Sequence, residues 1–499
     1  MDETLLLPDI MEDYSCKGTE STSIARLRLA ALVTTLSSFV WGYSISVLNV
    51  CIVENAAGSL LIDINLNDNE KQLATALVLI GAWVGALLTD FPAERFGRKP
   101  VLLFTNALFL AGTLACALAV SKPALFAGRS LLGLACGAVT GVVPTLLTEI
   151  SPAHARGQIT TLHQLQLTLG ILFSGLVGYL CVTTVPSGWR YVHGFLLLPV
   201  LLQCLLWSCV PESPRWLARE RRGAEARNVL LQLRAGVPVP LIEAEVDDML
   251  QQATAGSNPA WRDVFTYRRP MALGSLLVFF QAMTGINSVI FYSARIFAFA
   301  GVENAIAASS SVGVVNVLMT ILSVGLVDSY GRRILLLVGT SFMTVSLATL
   351  SLVLLFLNAQ PKLQGLVAVA STLLFVSGFA VGFGAVVWVI LGEILPSSVR
   401  SKAMGFFMGI SYLCNILIAT CTLTLINALG SGPTQKEIEK NGIAKLYLIF
   451  GIISAISLVF IKLHVRETKG SQLDRSFQPV DVQAEDEKLL LNPTADVDV

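Results

Sequence analysis

Four polar side chains stand close together inside an otherwise apolar stretch. They are Gln281, Thr284, Asn287 and Ser288, within Phe280-Gln-Ala-Met-Thr-Gly-Ile-Asn-Ser-Val-Ile-Phe-Tyr292. Spacings of three and four place them on or near one face of a helix. An amide donates and accepts from a single group, so this face suits a ligand whose own groups do both. The surrounding run, Met271 to Ala300, carries no charge before Arg295. In a membrane-spanning helix each unsatisfied polar group costs several kcal/mol, so something polar must face these side chains.

The composition calls for a bilayer around them. The chain is 499 residues long, 54% hydrophobic and 14% charged, with a mean hydropathy of +0.70, where soluble domains carry about 25% charged residues. A span takes about 20 apolar residues as helix. That rule gives twelve, at 29–52, 72–92, 100–120, 124–148, 161–183, 191–210, 271–299, 306–327, 333–357, 365–392, 403–428 and 444–463. The polar N-terminus has no signal-peptide pattern, so the first span is expected to act as the insertion signal. Arg and Lys gather in alternate loops, at Arg26 and Arg28, Arg95 to Lys99, Arg156, Arg332 and Arg333, Arg400 and Lys402, and Lys462 to Lys469. The positive-inside rule then puts both termini in the cytoplasm. Residues 211–270 form the one long polar connection, with amphipathic spacing over 223–236 and 239–252. The expected layout is a cytoplasmic tail 1–28, a six-helix bundle 29–210, a helical linker 211–270, a second bundle 271–465 and a tail 466–499.

Other chemistries find little support. Net charge is zero, which argues against a nucleic-acid partner. Most of the nine cysteines lie in apolar runs without a CxxC pair, and the four histidines form no cluster. No metal, redox or other cofactor is expected, and no nucleophile–base set or phosphate-binding loop suggests an enzyme.

The strongest organisational signal is internal repetition. Glu94-Arg-Phe-Gly-Arg-Lys99 recurs as Asp328-Ser-Tyr-Gly-Arg-Arg333. Glu149-Ile-Ser-Pro-Ala-His-Ala-Arg156 recurs as Glu393-Ile-Leu-Pro-Ser-Ser-Val-Arg400. Pro211-Glu-Ser-Pro-Arg215 is echoed by Arg466-Glu-Thr-Lys-Gly470. Each pair follows the second, fourth or sixth span of its half. The charged members Glu94, Arg95, Arg98, Glu149, Arg156, Arg215, Asp328, Arg332, Arg333, Glu393 and Arg400 suit a cytoplasmic latch that pairs helix ends, and the bundles with each other, when the inner mouth is shut. Interface anchoring is the plainer reading for any one of them.

These motifs, with Gly128-Arg129, Leu162-His-Gln-Leu165, Trp388 and Gln281 to Asn287, resemble the sugar porter family of the major facilitator superfamily over residues 29–474. The resemblance implies an all-α membrane protein with the major facilitator fold, twelve transmembrane helices in two six-helix bundles joined by a cytoplasmic helical linker. It implies transport of a hexose by alternating access, glucose first, with fructose or broad hexose specificity as the other readings. The protein is expected to work as a monomer in the lipid bilayer, with a small-molecule sugar as its partner. Carried over residue by residue, the sugar contacts are Gln164, Gln281, Asn287, Asn316, Trp388 and Asn415. Asn316 also suits interhelical packing, and Trp388 a plain core aromatic. His163 points about 100° away from Gln164 on a helix and reads as a packing histidine. Phe291 and Tyr292 read as gate aromatics or as lipid-facing packing.

The chain departs from the family at several places. Phe280 stands where an amide is usual and is expected to put a ring at the cage. The tenth span lacks the prolines around Trp388, leaving Gly382 and Gly384 as hinges; Ser411-Tyr412 replaces Asn-Trp, and the last motif begins with Arg466. Proton-coupled members carry an Asp after the Gly-Tyr of the first span, and here that residue is Ser44. Serine does not titrate, so uniport is expected, with a proton-coupled sugar or polyol symporter and a non-transporting sensor as rivals. Asp2-Glu-Thr-Leu-Leu-Leu7 and Glu485-Asp-Glu-Lys-Leu-Leu490 fit acidic dileucine sorting patterns. The plasma membrane is the expected home, with endosomal, lysosomal or vacuolar membranes as alternatives.

Overall fold

The computed structural model describes residues 20–467 apart from 54–55, 153–154, 235–236, 256–260, 300–301 and 357–360. Both dileucine patterns lie outside the described residues. So does the side chain of Asp328, whose backbone ends a long helix.

Eleven helices among the described residues are long and apolar enough to cross a membrane. In the first half these are α1 (Glu20–Cys51), α2 (Asp68–Phe96), α3 (Arg98–Ala117), α4 (Lys122–Ile150) and α5 (Arg156–Thr184). The expected span 191–210 is not one continuous helix. It is α6, made of Gly188–Gly194 and Leu197–Leu205 with a short 3-10 turn at Trp207–Cys209. Pro199 has no N–H to give the Phe195 carbonyl one turn earlier, which is the physical reason for the interruption. The second half comprises α7, in two pieces (Arg268–Met283 and Ile286–Phe299), α8 (Ala305–Tyr330), α9 (Arg332–Phe356) and α10 (Pro361–Glu393). It closes with α11 (Ser397–Leu429) and α12 (Gln435–His464). The fold is the major facilitator arrangement, two helical bundles side by side.

Within the first half α2 packs on α4 and α1 on α5; in the second, α9 packs on α12 and α10. Small residues make these approaches close. A side chain at Gly133 or Gly137 would collide with the α2 backbone, and one at Gly170 with α1. Such contacts replace the missing hydrophobic drive between helices in lipid. Between the halves, α5 lies on α8, α2 on α11, and α1 on the second piece of α7.

The connection between halves folds as four short helices, Pro214–Arg219, Gly223–Leu233, Val239–Ala255 and Trp261–Thr266. The first three share a small core of Ala218, Leu230, Ile242, Val246 and Met249. Arg234 ties this unit to the first half by donating to the Ile150 carbonyl at the end of α4 (2.9 Å) while pairing with Glu245 (3.2 Å). The fourth helix leans on the second half instead, with the Phe265 ring edge-on to Phe406 of α11 at 5.5 Å. The face carrying the linker is called the linker face below, and the opposite one the far face.

The expected single helix through Gln281 and Asn287 is broken. Thr284 ends the first piece, and Gly285 turns the chain with φ +92° before Ile286 restarts it. The four polar residues therefore occupy two helical pieces whose relative angle is set by Gly285. Only glycine takes that backbone conformation without strain, and a Cβ there would also strike the Phe450 ring. Replacing Gly285 by Ala should lower the thermal unfolding midpoint of the detergent-solubilised protein, and Phe450→Ala should restore part of the loss. An unchanged midpoint in Gly285→Ala would remove the turn from the account.

Candidate functional site

The residues expected to hold a ligand are spread over five helices, of which α5 packs on α8 across the halves. Gln164 on α5, Asn287 on α7, Asn316 on α8, Trp388 on α10 and Asn415 on α11 are each half-buried. Two of them join directly. Asn287 Nδ2 donates to Asn415 Oδ1 (2.5 Å), and Asn415 Nδ2 donates to Ser411 Oγ (3.4 Å). Ser411, a departure from the family pattern, thus belongs to the same polar chain. Its neighbour Tyr412 crosses to the other half, donating to Thr140 Oγ1 on α4 (3.3 Å).

Gln281 is buried and reaches α10 rather than open space. The middle of α10, Ala380–Gly384, is a π turn that contains both expected hinge glycines. Such a turn disturbs the regular carbonyl ladder and recurs at functional sites. One of its carbonyls, Phe383 O, accepts from Gln281 Nε2 at 2.8 Å. The break in α7 and the wide turn in α10 are therefore joined by one hydrogen bond. Gly382 also lets α9 approach, since a Cβ there would lie 3.2 Å from the Gly339 Cα.

Phe280 does not enter the cage. Its ring is 8% exposed and packs 5.4 Å from Phe460 of α12 and 5.8 Å from Phe279. The expectation of a ring facing the ligand is corrected by helix geometry, because neighbouring residues point about 100° apart. With Gln281 aimed at α10, Phe280 turns towards the scaffold. His163 has its Nδ1 2.7 Å from Ser38 Oγ and its ring tilted against Trp41 at 5.6 Å, both on α1.

The far face is closed by polar contacts that sequence reasoning missed. Asn49 at the end of α1 donates to Ser293 Oγ and Ser309 Oγ (both 3.0 Å) and accepts the Ala294 N–H (3.1 Å). Gln72 of α2 exchanges hydrogen bonds with Thr424 of α11 (3.1 and 3.3 Å). Arg295 of α7 meets Asp68 of α2 at 2.8 Å. Phe291 and Tyr292 are buried in this closure and do not face lipid; the Tyr292 hydroxyl donates to the Ala419 carbonyl (2.9 Å). One signal was legible in advance: Arg295 is the first charge in a long apolar run, and intramembrane charges mark function.

On the linker face the repeated motifs make several pairs within a half. Arg98 pairs with Glu149 (3.0 Å) and Glu94 (3.5 Å) in the first half, and Arg332 with Glu393 (3.0 Å) in the second. Glu94 also pairs with Arg219, whereas Arg215 is exposed. Arg400 donates back to the Leu395 carbonyl (3.0 Å), Arg333 to the Lys462 carbonyl (2.8 Å), and Arg95 lies over the Phe96 ring (5.8 Å). Arg156 opens α5 and is half-buried.

The third motif has a more specific job. Glu212 accepts the backbone N–H groups of Arg98 (2.9 Å) and Lys99 (3.2 Å) at the start of α3. Glu467 does the same for Arg332 (2.8 Å) and Arg333 (3.1 Å) at the start of α9. A carboxylate over unsatisfied helix N–H groups is a favourable capping arrangement. The glycines before them, Gly97 (φ +98°) and Gly331 (φ +87°), make the turn, and a side chain at either would collide with the capping carboxylate. Burial pushes the Glu212 carboxyl above the usual range, against the pull of the N–H groups of Ser213, Arg98 and Lys99.

Arg129 is fully buried in the first half. Its Nε donates to the Ala74 carbonyl (3.1 Å) and its Nη1 to the Ser44 carbonyl (2.8 Å), while Nη2 has no acceptor. Ser44 turns its hydroxyl to the Val40 carbonyl (2.7 Å).

A family model described as "Sugar (and other) transporter" matches residues 30–477. The facilitated glucose transporter protein 1 of Caenorhabditis elegans is 33% identical over 506 residues, covering 95% of each chain. The galactose-proton symporter of Escherichia coli (strain K12) is 30% identical over 436 residues, covering 86% of this chain and 89% of that one. Among solved structures, the inward open conformation of the xylose transporter XylE from E. coli superimposes with a TM-score of 0.73 at 25% identity. It covers 89% of this chain and 97% of its own.

The paired caps make a symmetric prediction. Glu212→Ala should speed hydrogen exchange at the first amides of α3 by roughly fivefold, matching the ~1 kcal/mol of a lost cap, and Glu467→Ala should do so at α9. If either variant leaves its target amides unchanged, that carboxylate is not the cap.

Proposed function

The chain belongs to the sugar (and other) transporter family, and from that premise we propose that it carries a hexose, glucose first, down its gradient by alternating access. The observation that carries this reading is the uncharged amide pair of Asn287 on α7 and Asn415 on α11, with Gln164, Asn316 and Trp388 half-buried on other helices. Amides match hydroxyls in donor and acceptor alike, and a Trp face suits the ring carbons of a sugar. No charge sits in this set to hold the ligand too tightly for release. A relative that transports glucose favours glucose as the substrate.

The transport cycle follows from the bonds between halves. In the state seen here the far ends of α1, α2, α7, α8 and α11 are hydrogen-bonded together, and the linker-face pairs of Arg98 with Glu149 and of Arg332 with Glu393 each lie within one half. We read this as the form open to the linker face, which the basic loops place in the cytoplasm. Sugar bound between the halves draws Asn287 and Asn415 onto its hydroxyls. The linker-face charges of the two halves then meet as the far ends part. The second piece of α7 moves about Gly285, and α10 adjusts at its π turn. The plasma membrane is the site of action we assign.

Uniport follows from Ser44. Arg129 has backbone carbonyls as its partners and no carboxylate among the contacts described, so it has no titrating partner beside it to pass a proton. Uptake of labelled D-glucose into transporter-deficient cells, competed with a panel of hexoses and polyols, tests the substrate class. Saturable uptake inhibited by hexoses is expected, and competition by polyols alone would overturn the reading. Asn287→Ala should raise the half-saturation concentration several-fold to roughly tenfold, the loss of one hydroxyl partner. Sugar addition to voltage-clamped cells should evoke no inward current at acidic external pH. A current would make the protein a symporter.

A further inference from the structure

The far face carries a charge cluster that the amide clasp at Asn49 does not require. Asp68, the first residue of α2, accepts from Arg295 of α7 (2.8 and 3.4 Å), from Lys71 one turn along its own helix (3.2 Å) and from Asn427 of α11 (3.4 Å). Arg295 in turn lies 3.9 Å from Glu439 of α12. The Arg295, Glu439 and Lys71 side chains are 9%, 10% and 7% exposed, and Asp68 is 30% exposed. The groups divide unevenly between the halves. Asp68 and Lys71 belong to the first, and Arg295, Asn427 and Glu439 to the second.

Stranding a charge in such a place is costly, because breaking a buried pair leaves an uncompensated ion. The arrangement avoids that cost. When the far ends part, the bond from Arg295 to Asp68 is lost, but Asp68 keeps Lys71 and Arg295 keeps Glu439. Lys71 rides on the same helix as Asp68, and Glu439 lies in the same half as Arg295. We propose that Asp68, Arg295 and Glu439 form a partner-exchange gate. Asp68 holds the far face shut, and Glu439 receives Arg295 when it opens. The two acids thus act in opposite directions on one equilibrium, although both contact the same guanidinium. In a passive ion-pair cluster they would act alike.

This opposition is testable without knowing the sugar. Hydrogen exchange by mass spectrometry on the full-length protein in lipid nanodiscs reads opening through peptides covering 286–299, which include the Ala294 N–H held by Asn49. Asp68→Asn should speed exchange there by roughly threefold or more, the scale of one ion pair. Glu439→Gln should slow it or leave it unchanged, since the open form loses its acceptor for Arg295. Arg295→Gln removes both effects, so adding Glu439→Gln to it should change nothing further. Thermal midpoints of the three variants, measured alongside, identify any that fail to fold, and Asp68→Ser and Glu439→Ala then replace them. Faster exchange in both acid variants, or no change in Asp68→Asn, overturns the proposal. The readout does not involve substrate, so a failure of the hexose reading would leave this result standing, and the reverse.

Discussion

The hydrogen bond from Gln281 to the Phe383 carbonyl joins the two places where the second bundle abandons regular helix. Lipid offers no water to satisfy a freed backbone group, so an interrupted spanning helix survives only where protein supplies the missing partner. Here a break at Gly285 and a π turn at Ala380–Gly384 sit side by side and are tied by one amide. The two irregularities are thereby held against each other inside the second bundle. The other spans of the second bundle, α8, α9, α11 and α12, are continuous helices. A bond of this kind fixes which way Gln281 points and therefore which way Phe280, its neighbour on the same helical piece, points.

The same economy of partners governs the two faces. At the linker face charged pairs and carboxylate caps bind helices within a half; at the far face neutral side chains do most of the joining across halves. Neutral bonds such as those of Asn49 are cheap to exchange for water when an opening forms, whereas a lone charge is not. Charges that cross between halves therefore need a local substitute, and Arg295 has one in Glu439. The bonds described across the seam are mostly neutral ones, exchangeable for water as an opening forms.

Much of this was legible in the residues. Apolar runs separated by basic loops disclosed the spans, and the doubled motifs disclosed the two halves. The pairing of Arg98 with Glu149 follows from charges repeated at equivalent helix ends. What could not be read was direction. Helical periodicity placed Gln281 and Asn287 on one face because it assumes an unbroken helix, and a single glycine with positive φ defeats that assumption. Phe280 was misplaced for the same reason: position next to a polar residue says little about which neighbour a side chain meets. The short α6 was masked by composition, since its residues are apolar enough to suggest a span while Pro199 interrupts the ladder. Asn49, Ser293 and Ser309 lie far apart in sequence, and only the fold brings them together.

The capping carboxylates carry a consequence for how the chain is made. Glu212 and Glu467 each stand just past the last helix of a half and clamp the start of that half's third helix. A bundle is thus sealed by almost the final residue needed to build it. As the chain emerges from the ribosome, the first half acquires its seal before any of α7 exists, and needs nothing from the second to do so. The second half must wait until its thirty-residue α12 is complete. Synthesis therefore delivers one finished body first, against which the other is then laid.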